Sequence, residues 1–263
     1  MTASIDPRLR QRRIAVRRAE GRRRLRVLLA ALGLAGLIAG GYGITRSALL
    51  DLDRVEVAGA FGSEADEVVA ATGFELGTPM LDVDLDAAAD AVTALPWVKN
   101  AEVARKWPAT ISVDVTRRLP IALLPTGDGG GVVIDEEGVA IARTVTAATG
   151  DLPVIAVAAQ GSLGDIQSFA IPALPVIEAV PADLVPWIET YGIEYDEGEV
   201  AEIVLELIGG ARAELGIPAD VSAKLDAVRT TLGRVDLSCI EVIDVRIAEL
   251  PLVFRCGDEL PTS

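Results

Sequence analysis

Histidine is absent from all 263 residues. That removes Ser-His-Asp and Cys-His catalytic arrangements at once, together with every zinc site that needs an imidazole ligand. Cysteine occurs only at Cys239 and Cys256. The glycine-rich stretch Gly127-Asp128-Gly129-Gly130-Gly131 lacks the Lys-Ser/Thr of a phosphate-binding loop and reads as a connector. The run Asp82-Val83-Asp84-Leu85-Asp86 opens like a calcium loop. Its sixth and twelfth positions are Ala87 and Thr93, where that loop needs Gly and Glu. Those carboxylates fit a helix start better, where they meet free N–H groups and the positive end of the macrodipole. No catalytic residue, metal or cofactor is expected.

Charge is missing from residues 27–45, and this absence organises the rest. An uncharged apolar run of that length crosses the bilayer core as a helix, at about 1.5 Å per residue. Ten arginines lie between Arg8 and Arg26, against Asp6 and Glu20 alone, so residues 1–26 carry a net +8. Such a bias keeps a basic tail (residues 1–26) in the cytoplasm and sends everything after the span outside. The run is longer than a signal-peptide core, and no A-x-A-like site follows among Ile44, Thr45, Arg46, Ser47, Ala48 and Leu49. An uncleaved anchor is therefore expected. The whole chain carries −15, so the rest carries −23. An acidic exterior excludes nucleic acid, which needs clustered Lys and Arg.

The exterior part divides by pattern into residues 51–125 and 126–256, with a frayed tail at 257–263. Residues 54–58 alternate in period two and end at Gly59. Ser63-Glu64-Ala65-Asp66 has the form of a capping box, and Gly73 closes the helix it opens. A second helix starts after Asp84, with Leu85, Ala88, Ala89, Val92 and Leu95 on one face and Pro96 as its stop. Strands follow at 100–106 and from 111–115 onward toward Leu123. The second block is richer in strands. A hairpin turns at Glu136-Glu137-Gly138, another at Gly209-Gly210, where positive φ is needed, and residues 152–157 form an apolar run. Residues 170–191 read as partly helical. Pro218 and Asp220 open a helix carrying Val221, Leu225, Val228 and Leu232 on one face, and strands at 241–247 and 252–255 close the chain. The fold class expected is a single-span membrane protein with an α+β ectodomain: a βααββ module, then a mostly antiparallel β domain with helices.

Several strings occur in a telling order behind the arginine-rich span. They are Val55-Glu56-Val57-Ala58-Gly59, Leu95-Pro96-Trp97-Val98, Arg105-Lys106-Trp107-Pro108, the 113–120 string VDVTRRLP, Val133-Ile134-Asp135 with Gly138, and Ile243-Asp244-Val245-Arg246. In this the chain resembles the bacterial FtsQ/DivIB cell-division family. The resemblance implies a POTRA module followed by the family's β domain. It also implies a non-catalytic, membrane-anchored scaffold of the divisome, coupled to septal peptidoglycan synthesis. The implied partners are bitopic division proteins of the FtsB/DivIC and FtsL type, and the implied location is the cytoplasmic membrane at the septum. The segment 171–186 does not follow the family pattern.

Two expectations concern the end of the chain. A terminal strand often lies at a sheet edge and can accept a further strand, so Leu250, Leu252, Val253, Phe254 and Arg255 are the candidate partner-binding residues. Leu252 and Phe254 would share one face, as core residues in an ordinary closing strand, and Val253 and Arg255 the other. A hairpin register that pairs Val245 with Leu250 also sets Cys239 opposite Cys256, close enough for a disulfide; two free thiols are the alternative. Competing functions are an anchored hydrolase using Asp135, Glu136 and Glu137, and a POTRA-bearing envelope-assembly factor. The three carboxylates sit at a hairpin tip, where solvated charge is ordinary. Assembly factors usually repeat the module or add a barrel, and neither is seen here.

Overall fold

A computed structural model describes residues 7–45, 50–145, 152–196, 199–234 and 239–257. Of the expected tail at 257–263, all but Gly257 lies outside them. Helix α1 runs over Pro7–Thr45, and within it Arg24–Gly43 is long and apolar enough to span a bilayer, with none of it buried against protein. At about 1.5 Å per residue those 20 residues match a hydrocarbon core of about 30 Å. The chain divides into two compact units, residues 1–89 with 102–114, and 90–101 with 115–263.

The βααββ order expected after the span is present: β1 (Arg54–Ala58), α2 (Ser63–Thr72), α3 (Leu85–Thr93), β2 (Val98–Lys106) and β3 (Thr110–Arg117). The sheet order is β1-β3-β2, with β1 parallel to β3 and Val55 and Val57 opposite Ile111 and Val113. Ile111, Val113 and Val115 of β3 are buried, as are Val68 of α2 and Ala88 and Val92 of α3. Asp84 Oδ1 accepts the Ala87 N–H at 3.1 Å, so this acidic run opens a helix as expected. The capping box at Ser63 does not form. Gly62 takes the cap position at φ 58 with no side-chain cap, which puts Ser63 already inside the first turn. Gly73, at φ 64, closes α2 in the left-handed conformation that glycine adopts without steric cost.

The strand expected to run from β3 toward Leu123 is two strands. Pro120 has no N–H to continue a ladder, and β4 (Ala122–Pro125) restarts beyond it, paired with another partner. It forms an antiparallel meander with β5 (Gly131–Ile134) and β6 (Ala140–Thr144). A short helix α4 (Leu174–Ala179) lies between single 3₁₀ turns at Ile171–Ala173 and Val185–Trp187. Beyond it come β7 (Ile188–Asp196), β8 (Glu199–Leu207), β9 (Arg212–Gly216), α5 (Val221–Leu232), β10 (Ile240–Asp244) and β11 (Leu252–Arg255). Their sheet order is β11-β10-β9-β8-β7. Only β9 and β10 are parallel, as a crossover through α5 requires. Gly209 and Gly210 both take positive φ, 94° and 86°, in the β8–β9 turn.

The apolar run at 152–157 acts as a strap between the two sheets of this unit. Ile155 N–H donates to Leu123 O at 2.9 Å, and Tyr191 N–H donates to Val154 O at 2.8 Å. Ile155 and Tyr191 are both buried in one core with Leu124, Ile134, Leu205 and Val228. Helical structure in 170–191 stops sooner than the composition suggests, because β7 begins at Ile188 and Tyr191 pairs with Leu205.

Candidate partner interface

Strand β11 lies at one edge of the five-stranded sheet; among the described residues no strand covers its outer side. Three local features set it there. Pro251, immediately before it, cannot donate an N–H. Residues 246–251 turn the chain back, with Leu250 N–H donating to Ile247 O at 3.0 Å. At the far end a disulfide joins Cys239 to Cys256, with Cα atoms 5.5 Å apart, and Cys256 N–H donates to Cys239 O at 3.3 Å.

The register differs from expectation over most of the strand. Ile240 faces Arg255, in step with the cysteine pair, but Val242, Ile243 and Asp244 face Phe254, Val253 and Leu252. One extra residue on β10, at Glu241, forms a bulge between the two stretches, so Val245 does not pair with Leu250. The faces change accordingly. Val253 packs against the core, whereas Leu252 is 47% exposed and Phe254 half-buried. Leu250 and Arg255 are exposed. The inward residue of the terminal strand is thus Val253, and the expectation that Leu252 and Phe254 fill the core is overturned.

Beside β11 a shallow groove of about 400 Å³ runs along α5, lined by Asp226, Thr230, Arg234, Ala248, Pro251 and Val253. Around the end of β10 stands a charged cluster. Arg246 Nη2 reaches Asp244 Oδ2 at 2.7 Å and Glu214 Oε2 at 3.7 Å, and its Nη1 reaches Glu202 Oε1 at 3.0 Å. Burial alone would raise the Asp244 carboxyl, but hydrogen bonds from the Arg246 side chain and backbone outweigh it and hold it low. Glu214 is raised, chiefly by burial; the charge of Arg246 pulls it down, the like charges of Glu202 and Asp244 add to the rise, and the net direction is upward. Arg246 and Asp244 are neighbours in one sequence string, whereas Glu202 and Glu214 are distant from it in the chain. Only the β8-β9-β10 order brings these together.

The carboxylates weighed as an acid/base pair have other partners. Arg118 Nη1 binds Asp135 Oδ2 at 2.5 Å and Glu137 Oε2 at 2.8 Å, and Lys99 binds Glu136 and, at 3.4 Å, Glu137. Asp135 is 1% exposed, and its Oδ1 accepts the N–H groups of Glu137 and Val139. Hydrogen bonds from Arg118 and the charge of Lys99 lower Glu137 further into its ionised range. Among the described residues no group of three or more Cys, Asp or Glu is arranged to hold a metal ion.

Two family models match successive stretches of the chain. The family model for the POTRA domain, FtsQ-type, matches residues 50–118, and that for Cell division protein FtsQ/DivIB, C-terminal, matches residues 122–246. The chain belongs to the FtsQ/DivIB family. Cell division protein FtsQ of Corynebacterium glutamicum is 30% identical over 187 residues, covering 71% of this chain and 80% of that protein. The FtsQ of Streptomyces collinus is 35% identical over 158 residues, 58% of each chain. That of Mycolicibacterium smegmatis is 30% identical over 190 residues, 72% of this chain and 54% of the relative. The chain therefore spans most of the first relative and a little over half of the other two. The FtsQ/DivIB match ends at residue 246, so β11 and its disulfide partner Cys256 lie beyond the matched region.

Proposed function

We propose that this FtsQ/DivIB member is a non-catalytic scaffold of the divisome, anchored by the Arg24–Gly43 helix with its basic tail in the cytoplasm and residues 51–256 outside. It recruits bitopic partners of the FtsB/DivIC and FtsL type at the septum and so licenses septal peptidoglycan synthesis. The docking surface is the outer edge of β11, with Leu250, Leu252, Phe254 and Arg255 at its rim and Val253 holding it to the core. The observation that carries this reading is the terminal position of β11 in the sheet order. An edge strand accepts main-chain hydrogen bonds from another chain, and exposed side chains at alternate positions select the partner.

The test is co-purification of the full chain with a tagged FtsB/DivIC-type partner. Cys256 N–H points inward to Cys239 O, so by alternation the outward donors are the N–H groups of Val253 and Arg255; Arg255→Pro deletes one of them, and Arg255→Glu inverts a rim charge. Each should reduce capture about tenfold, or about 1.4 kcal/mol, with the circular dichroism unchanged. Undiminished capture by both variants removes this surface. Midcell accumulation of a fluorescent fusion is expected; uniform envelope fluorescence contradicts the septal role.

A further inference from the structure

One end of the POTRA module carries exposed apolar groups from three separate segments, and all three are tied to the first residues after the span. Leu76 is 69% exposed and adjoins Gly77, whose N–H donates to Leu52 O at 2.8 Å. Leu81 is 54% exposed and adjoins Met80, whose N–H donates to Leu50 O at 2.9 Å. Trp107 is 53% exposed in the β2–β3 turn, two residues before Ala109, whose carbonyl accepts from Asp53 at 2.8 Å. Arg105 pins the end of β2 to the same place, donating to Met80 O at 2.7 Å and Val83 O at 2.5 Å.

The chain between this end and the bilayer is short. From Thr45, the last residue of α1, to Leu50 there are five residue steps, which reach at most about 18 Å when fully extended. The polar headgroup layer itself occupies about 5–8 Å on each side of the hydrocarbon core. We infer that this end of the module rests on the outer surface of the membrane, with Trp107, Leu76 and Leu81 set into the headgroup region. An amphipathic indole suits that depth, where its ring is apolar and its N–H meets polar groups. The rim is mixed in charge, Asp53, Glu75 and Asp82 standing with Arg54 and Lys106, so the contact is apolar and suits zwitterionic lipid. Phe61, 81% exposed, supplies an internal comparison. It follows the opposite end of β1, about 15 Å along the strand.

This inference rests on the span reading, and one experiment separates the two. The full chain is labelled with an environment-sensitive fluorophore at Leu81→Cys, Leu76→Cys or Phe61→Cys; the native cysteines are paired, so only the new thiol reacts. Each protein is reconstituted in phosphatidylcholine nanodiscs with or without brominated acyl chains. Labels at Leu81 and Leu76, about 5–10 Å into the headgroup boundary, should lose about half their emission to bromine. The Phe61 label should lose almost none. Absence of quenching at both Leu81 and Leu76, or equal quenching at Phe61, overturns the membrane contact. Failure of the chain to enter nanodiscs at all overturns the span and the contact with it.

Discussion

Arg118 closes on Asp135 at 2.5 Å, and the same guanidinium donates its Nε–H to the Val98 carbonyl at 3.2 Å. One buried ion pair thus ties the segment leaving β3 both to the start of β2 and to the β5–β6 turn. The sequence strings that carry the family resemblance, VDVTRRLP and Val133-Ile134-Asp135, each contribute one partner of this pair. Asp135→Ala takes the acceptor from the Glu137 and Val139 N–H groups and one of the two carboxylates from Arg118, so it is expected to cost about 2–3 kcal/mol in denaturant melts of the detergent-solubilised chain. Glu136→Gln, at the exposed tip, should leave the midpoint unchanged.

Stability should respond to pH in two opposed ways around Arg246. The Asp244 carboxyl is depressed below its unfolded value of 3.8, so its contribution is present above that value and is lost as pH falls through the folded one. Glu214 is raised above 4.5, so it favours the folded state only while protonated, and stability declines as pH rises from there. Glu214→Gln is therefore expected to be more stable than the parent near pH 7 and equal to it near pH 3. Arg246→Ala should be less stable near pH 7, with the gap shrinking in acid. Thermal melts across the acid range read both.

Gly216 stands beside this cluster at φ 65, and a Cβ there would lie 2.9 Å from Arg246 Cγ. Alanine would meet a disfavoured backbone conformation and push Arg246 off its acids. A loss of about 1–2 kcal/mol is expected for Gly216→Ala, against no loss for Gly210→Asn, since asparagine tolerates positive φ.

The cysteines should be silent to thiol reagents until the chain is unfolded with a reductant present. Cys239→Ser with Cys256→Ser is expected to cost about 3 kcal/mol by chain entropy and to loosen β11. Hydrogen exchange at Leu252–Arg255 is the direct readout, and two reactive thiols in the native chain would contradict the bond.

Within β11 the two apolar neighbours should separate cleanly. Val253→Ala loses core packing and is expected to cost about 1 kcal/mol, while Leu252→Ala should stay within about 0.5 kcal/mol. The opposite order in equilibrium unfolding would restore the face assignment drawn from simple alternation.

That reversal shows where the sequence was legible and where it was not. Local signals were enough for α1, for the βααββ order, for the Gly209-Gly210 turn and for α5, because spacing, a cap or a positive-φ glycine acts within a few residues. The bulge at Glu241 leaves no such trace, and one inserted residue exchanges the two faces of every position beyond it. Strand β7 was hidden for a related reason. It follows a proline-dense helical stretch directly, and Tyr191 is held in place by Leu205 and by Val154, both distant in sequence. The candidate edge was readable from its terminal position alone; the groove along α5 and the Arg246 cluster arise from sheet order and could not be.

The edge offered by β11 is only four residues long, and the proline before it brings no donor. Roughly two to four main-chain hydrogen bonds fit along such a strip, each net about 0.5–1.5 kcal/mol, where even a millimolar complex needs about 4 kcal/mol. A strand arriving from free solution would come and go quickly. Two proteins held by their own helices in one bilayer meet at a far higher effective concentration, and side chains at the rim then have time to act. For the docking proposed here, the brevity of β11 would make lipid attachment part of the latch: released from the bilayer, the same edge would be a weak and reversible hold.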